Sequence, residues 1–133
     1  MSFNATSTTM TAAQFAARTG IEPSHMAEIG DLVGNGRSGR RYEFAIWTLE
    51  RDCADDAREP LDEALSLLLS TFDGRETVLD EFRAAFDLRV QCSGSSDSSQ
   101  GGFWLSPQVL QRLGRLGVDF ICTVYLDENS IVN

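Results

Sequence analysis

The sequence predicts an α+β domain: a mostly antiparallel sheet of about five strands with helices packed on one face, ferredoxin-like in outline. Segments with the two-residue alternation that is typical of strands alternate along the chain with segments of helical periodicity. Two of the helices carry their own start and stop signals. The length of 133 residues suits one folding unit, so residues 1–133 are treated as a single domain.

The start of the chain contains a weak strand pattern followed by a clear helix. Residues 2–7 alternate weakly and predict a short first strand. Thr11 and Gln14 match a capping box, in which each side chain satisfies a backbone N–H group at the helix start. Gly20 predicts the end of this helix, because glycine readily adopts the left-handed conformation that ends helices.

The middle of the chain predicts a loop, a strand and two helices. Residues 24–41 are polar and rich in glycine, which is typical of a loop. Residues 42–50 are apolar on both faces, which indicates an internal strand. Leucines at helical spacing after Pro60 predict a strongly amphipathic helix that ends at Gly74. Apolar residues up to Phe86 indicate a second, shorter helix in the same crossover.

The last third of the chain predicts a hairpin, a helix and a final strand. Residues 88–92 and 103–105 are predicted as partner strands joined by a Ser/Gly-rich loop. Ser106 at the N-cap and Gly117 at the stop frame the helix. Residues 120–126 are apolar on both faces, so we expect this strand to be central in the sheet.

Charge and cysteine content narrow the range of partners. The chain has 20 acidic and 11 basic residues, all arginine, and a net charge of −9. An acidic surface repels phosphate backbones, which argues against nucleic acid. It suits a basic protein partner, or it simply keeps the protein soluble. Three cysteines without C-x-x-C spacing argue against a disulfide framework and a zinc site, and indicate reduced thiols in a cytoplasmic protein. No signal peptide or membrane-length apolar run is present, so no membrane partner is expected.

The sequence contains no recognisable catalytic constellation, and we expect neither an enzyme nor a cofactor or metal. His25 is the single histidine. We interpret it as facing solvent, because no further metal ligand or nucleophile recurs at a spacing that would pair with it. Residues 34–39 match G-x-G-x-x-G but lack the preceding strand and following helix that the dinucleotide motif requires. Trp47, Trp104 and Tyr125 are interpreted as core aromatic residues; the alternative is a ligand pocket or a partner surface.

Two charged clusters are candidates for binding. An acidic strip can dock a basic partner, although its members at a helix start also complement the helix dipole. An arginine cluster can hold a carboxylate or phosphate through bidentate bonds, or it can offset nearby acids. The acidic strip consists of Asp52, Asp55, Asp56, Glu59, Asp62 and Glu63. The arginine cluster consists of Arg37, Arg40 and Arg41.

Short motifs spread along the chain carry a resemblance to a known family. They are residues 11–23, 30–31 and 47–50, the Leu-rich helix after Pro60, and residues 105–107, 116–119 and 124–125. With these motifs the chain resembles the bacterial domain-of-unknown-function family 4279 over nearly its whole length. The resemblance implies a small cytosolic α+β protein with no established activity. Families of this kind often occur among bacterial toxin–immunity genes, which is an association only.

We therefore hypothesise a non-enzymatic protein-binding domain, such as an immunity protein or inhibitor that neutralises a basic partner of the bacterial toxin type. The alternative is a small-molecule (anion)-binding regulatory domain that uses the Gly/Arg-rich loop 30–41. A third option is a structural or assembly module with a sheet-edge interface. The sequence leaves the oligomeric state open. In each case we expect the function on the irregular segments 30–41, 52–63 and 93–102.

Overall fold

The structure is a computed structural model, and it describes residues 1–52, 60–96 and 104–126. This described part of the molecule contains five strands and four helices. The predicted α+β class is confirmed. The elements in chain order are β1 (Ser2–Ser7), α1 (Ala12–Thr19), β2 (His25–Ala27), β3 (Ala45–Glu50), α2 (Pro60–Ser70), α3 (Glu76–Phe82), β4 (Asp87–Ser96), α4 (Pro107–Leu116) and β5 (Asp119–Leu126).

The strands form one mixed sheet in the order β2-β3-β1-β4-β5. Strand β1 lies at the centre, antiparallel to β3 and β4, and β2 runs antiparallel to β3. Strands β4 and β5 run parallel. The expected mostly antiparallel sheet is therefore corrected to a mixed sheet, because the crossover helix α4 returns the chain in its original direction between β4 and β5. The ferredoxin-like outline stays a prediction.

The hydrophobic core lies between one face of the sheet and the helices. Successive strand residues point to opposite faces, so the cross-strand partners Phe3 and Val90 share a face, as do Ala5 and Trp47. All four helices send buried apolar side chains into the same cluster, which means that they pack on this one face, as predicted. The buried helix residues in the cluster are Ala12, Phe15, Leu65, Leu68, Leu69, Leu79, Phe82, Val109, Leu113 and Leu116.

Aromatic rings fill the centre of this core. The ring of Phe3 lies 4.3 Å from that of Phe72, measured between centroids. The rings of Phe15 and Trp47 lie 5.0 Å apart. All four side chains are fully buried, as predicted for Trp47. Tilted and edge-on pairs of this kind stabilise a core beyond the apolar area they bury.

Both self-contained helix signals are confirmed. The hydroxyl of Thr11 accepts the backbone N–H of Gln14 at 3.1 Å, and the Gln14 side chain accepts the N–H of Thr11 at 2.8 Å. At the start of α4, the hydroxyl of Ser106 accepts the N–H of Val109 at 3.2 Å. Helix α4 ends at Gly117, whose φ of 66° is left-handed and favours glycine.

Charged side chains from distant elements bind the ends of α1. The carboxylate of Glu28 accepts the backbone N–H groups of Ala12 and Ala13 at 2.6 and 3.1 Å. At the other end, the Nε of Arg75 donates to the carbonyl of Thr19 at 2.8 Å. An acid at the positive end of a helix and a base at its negative end are each favourable. These bonds also pair groups that the helix itself leaves without a partner.

The end of α4 is bound in the same way. The guanidinium of Arg83 donates to the carbonyls of Leu116 and Gly117 at 2.5 and 2.6 Å. A Cβ atom on residue 117 would lie 2.7 Å from the Arg83 Nη1 atom, so a larger residue would displace the guanidinium. Gly117 therefore serves both the backbone turn and the close approach of Arg83.

Several strand predictions are wrong. The predicted loop 24–41 contains β2, and β4 continues to Ser96, into the predicted loop 93–102. Residues 104 and 105 form no strand, and residue 103 lies outside the described residues. The partners of β4 are β1 and β5, so the predicted hairpin is replaced by pairings between strands far apart in sequence. Turn-forming composition alone did not reveal these long-range pairings.

The predicted central position of the last strand is also wrong. In the described sheet, β5 is an edge strand that pairs with β4 alone. Its Ile121 lies on the face away from the helices and is 36% exposed. An apolar pattern on both faces of a strand indicates burial, but here it occurs at an edge.

Two neighbouring leucines of α2 give a matched test of this core. Leu68 is fully buried and Leu67 is 65% exposed. We expect Leu68→Ala to lower the free energy of unfolding by about 2–5 kcal/mol, because it removes buried methyl groups and leaves a cavity. We expect Leu67→Ala to change it by less than about 0.5 kcal/mol. Urea denaturation of both variants measures the difference, and equal losses would contradict the assigned helix face.

Candidate functional site

A hairpin arm, defined as residues 28–44, continues the β2–β3 hairpin beyond its last strand pair. That pair joins Ala27 to Ile46. Further out, Leu32 and Arg41 form an isolated antiparallel bridge. The backbone N–H of residue 30 donates to the carbonyl of residue 42 at 2.9 Å. The arm is therefore a two-stranded ribbon, where the sequence predicted a loop.

The hairpin arm has no core of its own. Every residue from 28 to 44 is exposed or half-buried. Three large apolar side chains on it are nevertheless exposed: Ile29 by 52%, Leu32 by 47% and Phe44 by 40%. An isolated two-stranded ribbon is marginally stable in water, and a partner surface that covers its exposed apolar side chains would stabilise it.

The predicted arginine cluster lies on this arm, but only part of it converges. Arg40 and Arg41 line a groove of about 390 Å³ together with Val33, Tyr42, Glu43 and Phe44. Arg37 is exposed and does not line it. Arg41 donates from Nη1 to the carbonyl of Gly30 at 2.7 Å, so its guanidinium holds the two sides of the arm together. None of the three arginines forms an ion pair within residues 1–52, 60–96 and 104–126.

His25 lies in β2, near the base of the arm. Its Nε2 atom is 3.2 Å from the hydroxyl of Tyr42, and the imidazole is exposed, as predicted. Across the described ranges, no three His, Cys, Asp or Glu side chains are placed to hold a metal ion. The helices of the described part include none that is both long and apolar enough to span a membrane.

The acidic strip divides into residues with different roles. Asp62 is half-buried, and its carboxylate accepts the backbone N–H of Ser106 at 2.7 Å, which ties the start of α2 to the start of α4. Asp52 and Glu63 are exposed. Asp62 is therefore a structural residue as well as a member of the strip. The remaining members, Asp55, Asp56 and Glu59, lie outside the described residues.

A cleft of about 470 Å³ lies at the end of the sheet where the strip begins. Glu50 and Asp52 line it, opposite polar side chains of β4 and β5 that include Gln91 and Thr123. Arg51 also lines the cleft and donates to the carbonyl of Glu50 at 3.2 Å. The cleft thus presents two carboxylates and one guanidinium, all exposed.

Several acids of the described chain are already engaged. Four carboxylates form ion pairs and two more bind helix starts. Glu50, Asp52 and Glu63 form no ion pair in the part of the chain that the structure describes, and the same holds for Glu22, Asp31, Glu43, Glu76 and Asp119. The ion pairs are Arg18–Glu81, Arg83–Asp80, Arg89–Asp87 and Arg112–Asp73. The helix-binding carboxylates are Glu28 and Asp62.

Comparison with known families identifies the family of the chain. The family model described as Domain of unknown function (DUF4279) matches residues 1–127. The chain belongs to this family. No curated protein and no solved structure matches the chain. The predicted resemblance is confirmed, and the match spans every strand and helix described above as well as the hairpin arm.

The exposed apolar residues of this DUF4279 domain were missed in the sequence. Ile29 and Leu32 stand among glycines and charged residues without a helical or strand period, so no pattern marked them. Phe44 was predicted to lie in the internal strand 42–50, but the strand begins at Ala45 and Phe44 is 40% exposed. Trp104 was predicted to lie in the core but is 53% exposed, because it precedes α4 instead of occupying a strand. The side chain of Tyr125 lies outside the described part.

Substitution of two adjacent acids distinguishes a structural carboxylate from an exposed one in the acidic strip. Asp62→Ala removes the acceptor for the Ser106 N–H group, and we expect it to lower the free energy of unfolding by about 1 kcal/mol. Glu63→Ala removes an exposed carboxylate in the same helical turn, and we expect a change of less than about 0.5 kcal/mol. Chemical denaturation at neutral pH distinguishes the two. A loss for Glu63→Ala as large as that for Asp62→Ala would contradict the structural role of Asp62.

Proposed function

We propose that this DUF4279 domain is a non-enzymatic, cytoplasmic protein-binding domain that recognises a basic protein. The observation that carries the proposal is that Glu50, Asp52 and Glu63, which lie in or next to the acidic strip, are exposed and form no ion pair in the described chain. The strip also continues in sequence from Asp52 with Asp55, Asp56 and Glu59. Exposed carboxylates without a partner remain free to meet cations of another protein.

The charge of the whole chain supports a basic partner. A net charge of −9 accelerates encounter with a positively charged protein and disfavours acidic competitors. Neutralisation of a basic toxin, as by an immunity protein, is the specific form we propose. Such a role requires binding and no chemistry.

An anion-binding regulatory role is a second candidate. It is favoured by the guanidinium of Arg40, which lies in the arm groove beside Arg41 and forms no ion pair within the described ranges. Guanidinium groups bind phosphate and carboxylate through two parallel hydrogen bonds. Glu43 lines the same groove and repels anions, which makes this candidate weaker than the first.

Charge reversal on the strip tests the protein-binding function. We expect Asp52→Lys/Glu63→Lys to lower affinity for the basic partner at least about tenfold, because two attractive contacts become repulsive. The control, Glu22→Lys/Asp119→Lys, reverses exposed acids elsewhere. Each reversal adds two positive charges, so both variants carry −5 instead of −9. Immobilised wild-type and variant domains are exposed to lysate of the native host, and the retained protein is then purified for affinity measurement.

Three outcomes contradict the proposed function. These outcomes are a wild-type domain that retains no stoichiometric partner, a retained partner that is acidic, and an equal loss of affinity in both variants. The last result would mean that net charge, and not the strip, determines binding. Circular dichroism of each variant verifies that the fold is kept.

Thermal shift tests the second candidate independently. If the arm binds an anion, inorganic phosphate, nucleotides or small carboxylates should raise the unfolding temperature, because a ligand that binds only the native state stabilises it. Arg40→Gln should abolish the rise, while Arg115→Gln, an exposed arginine of α4, should leave it unchanged. Unfolding temperatures that do not change with any of these anions would remove the anion-binding role.

A further inference from the structure

We propose that the hairpin arm is a self-association surface, on which the arms of two copies of this chain pack around a two-fold axis. The starting observation is the exposure of apolar side chains on a ribbon with no buried residue. Ile29, Leu32 and Phe44 are each at least 40% exposed. Burying such side chains against a second copy removes apolar area from water and gives the ribbon the packing that it lacks.

The charge of the arm favours a second copy over other occupants. The chain carries −9. Residues 28–44 contain three arginines and three acids, so the arm itself is neutral. Two copies therefore meet less repulsion arm to arm than through the acidic remainder of their surfaces. At physiological salt, charges farther apart than about 8 Å are largely screened, so the local balance of the contact matters most.

The arm groove is complementary to itself. It contains Arg40 and Glu43, both exposed, beside the apolar side chains of Val33 and Phe44. Neither charge forms an ion pair within the described ranges. In a contact with two-fold symmetry, each pairing of one residue with a different residue of the second copy occurs twice, the second time with the two copies exchanged. One pair of residues, Arg40 with the Glu43 of the other copy, therefore supplies two symmetric ion pairs around an apolar centre.

Other occupants fit this surface less well. A free phosphate or an acidic peptide meets the carboxylate of Glu43 in the groove, and a basic peptide meets Arg40 and Arg41. Nucleic acid requires several phosphate contacts, which a neutral arm on a chain of charge −9 does not supply. A second copy presents both charges and an apolar wall at once.

Paired charge reversals test the symmetry of the contact. Wild-type domain should show a concentration-dependent monomer–dimer equilibrium between micromolar and millimolar protein in sedimentation equilibrium. Arg40→Glu places acids at both positions of the pair and Glu43→Arg places bases at both, so each variant alone should dimerise at least about tenfold more weakly. An equimolar mixture of the two variants should form a heterodimer, because each groove then meets one of opposite sign.

Matched controls separate this effect from general charge. Arg115→Glu and Glu22→Arg make the same changes of charge at exposed positions outside the arm, and both should dimerise like the wild type. Leu32→Asp removes an apolar side chain of the arm and should weaken the dimer without any change in Arg40 or Glu43. Circular dichroism melting verifies that each variant is folded.

Several results would overturn the proposal. A wild-type domain that stays monomeric to millimolar concentration excludes it, as does a dimer that Arg40→Glu, Glu43→Arg and Leu32→Asp leave intact. A mixture of the two charge variants that forms no heterodimer also excludes the Arg40–Glu43 pairing. A phosphate-induced thermal shift that depends on Arg40, in a monomeric domain, assigns the groove to an anion instead. These readouts need no external partner, so they are independent of the proposed function.

Discussion

The architecture depends on the double pairing of strand β1. Hydrogen bonds join β1 to β3 on one edge and to β4 on the other, so this one strand connects the parts of the chain that lie before and after α2 and α3. Its Phe3 packs on Phe72 and Trp47 on the helix face. On the opposite face, Asn4 accepts a hydrogen bond from Thr48 at 2.7 Å and donates to Gln91 at 2.9 Å. One strand thus anchors the core and a polar ladder that spans three strands.

One-sided burial explains how the charges are used. Helices packed on a single face have ends that other elements can reach, and charged side chains fill several of these positions. Glu28 from the arm binds the start of α1, Arg75 binds its end, and Arg83 binds the end of α4. These charges contribute to the fold and are not available to a partner. The strip around Asp52 and the arm groove, in contrast, contain exposed charges that form no ion pair in the described chain.

Local features could be predicted from the sequence, whereas features that depend on distant neighbours could not. The caps at Thr11 and Ser106 and the stop at Gly117 are encoded within a few residues, and all are confirmed. The edge position of β5 and its parallel pairing depend on which strand lies beside it, and periodicity carries no such information. The double role of Asp62 depends on Ser106, 44 positions away. The groove likewise depends on the Leu32–Arg41 bridge, which folds a stretch of loop-like composition into a ribbon.

The acidic strip and the hairpin arm differ in charge, and this difference connects the two proposals. The strip is acidic, while the arm is neutral with both signs present. A dimer formed through the arm leaves the carboxylates of Asp52 and Glu63 outside the Arg40–Glu43 contact, so it carries two copies of the strip. Binding of one strip to a partner with repeated basic sites would make the second binding event intramolecular, which raises the overall affinity without any new contact. Self-association through the neutral arm would therefore raise the overall affinity of acidic strips whose individual exposed ion pairs are each weak.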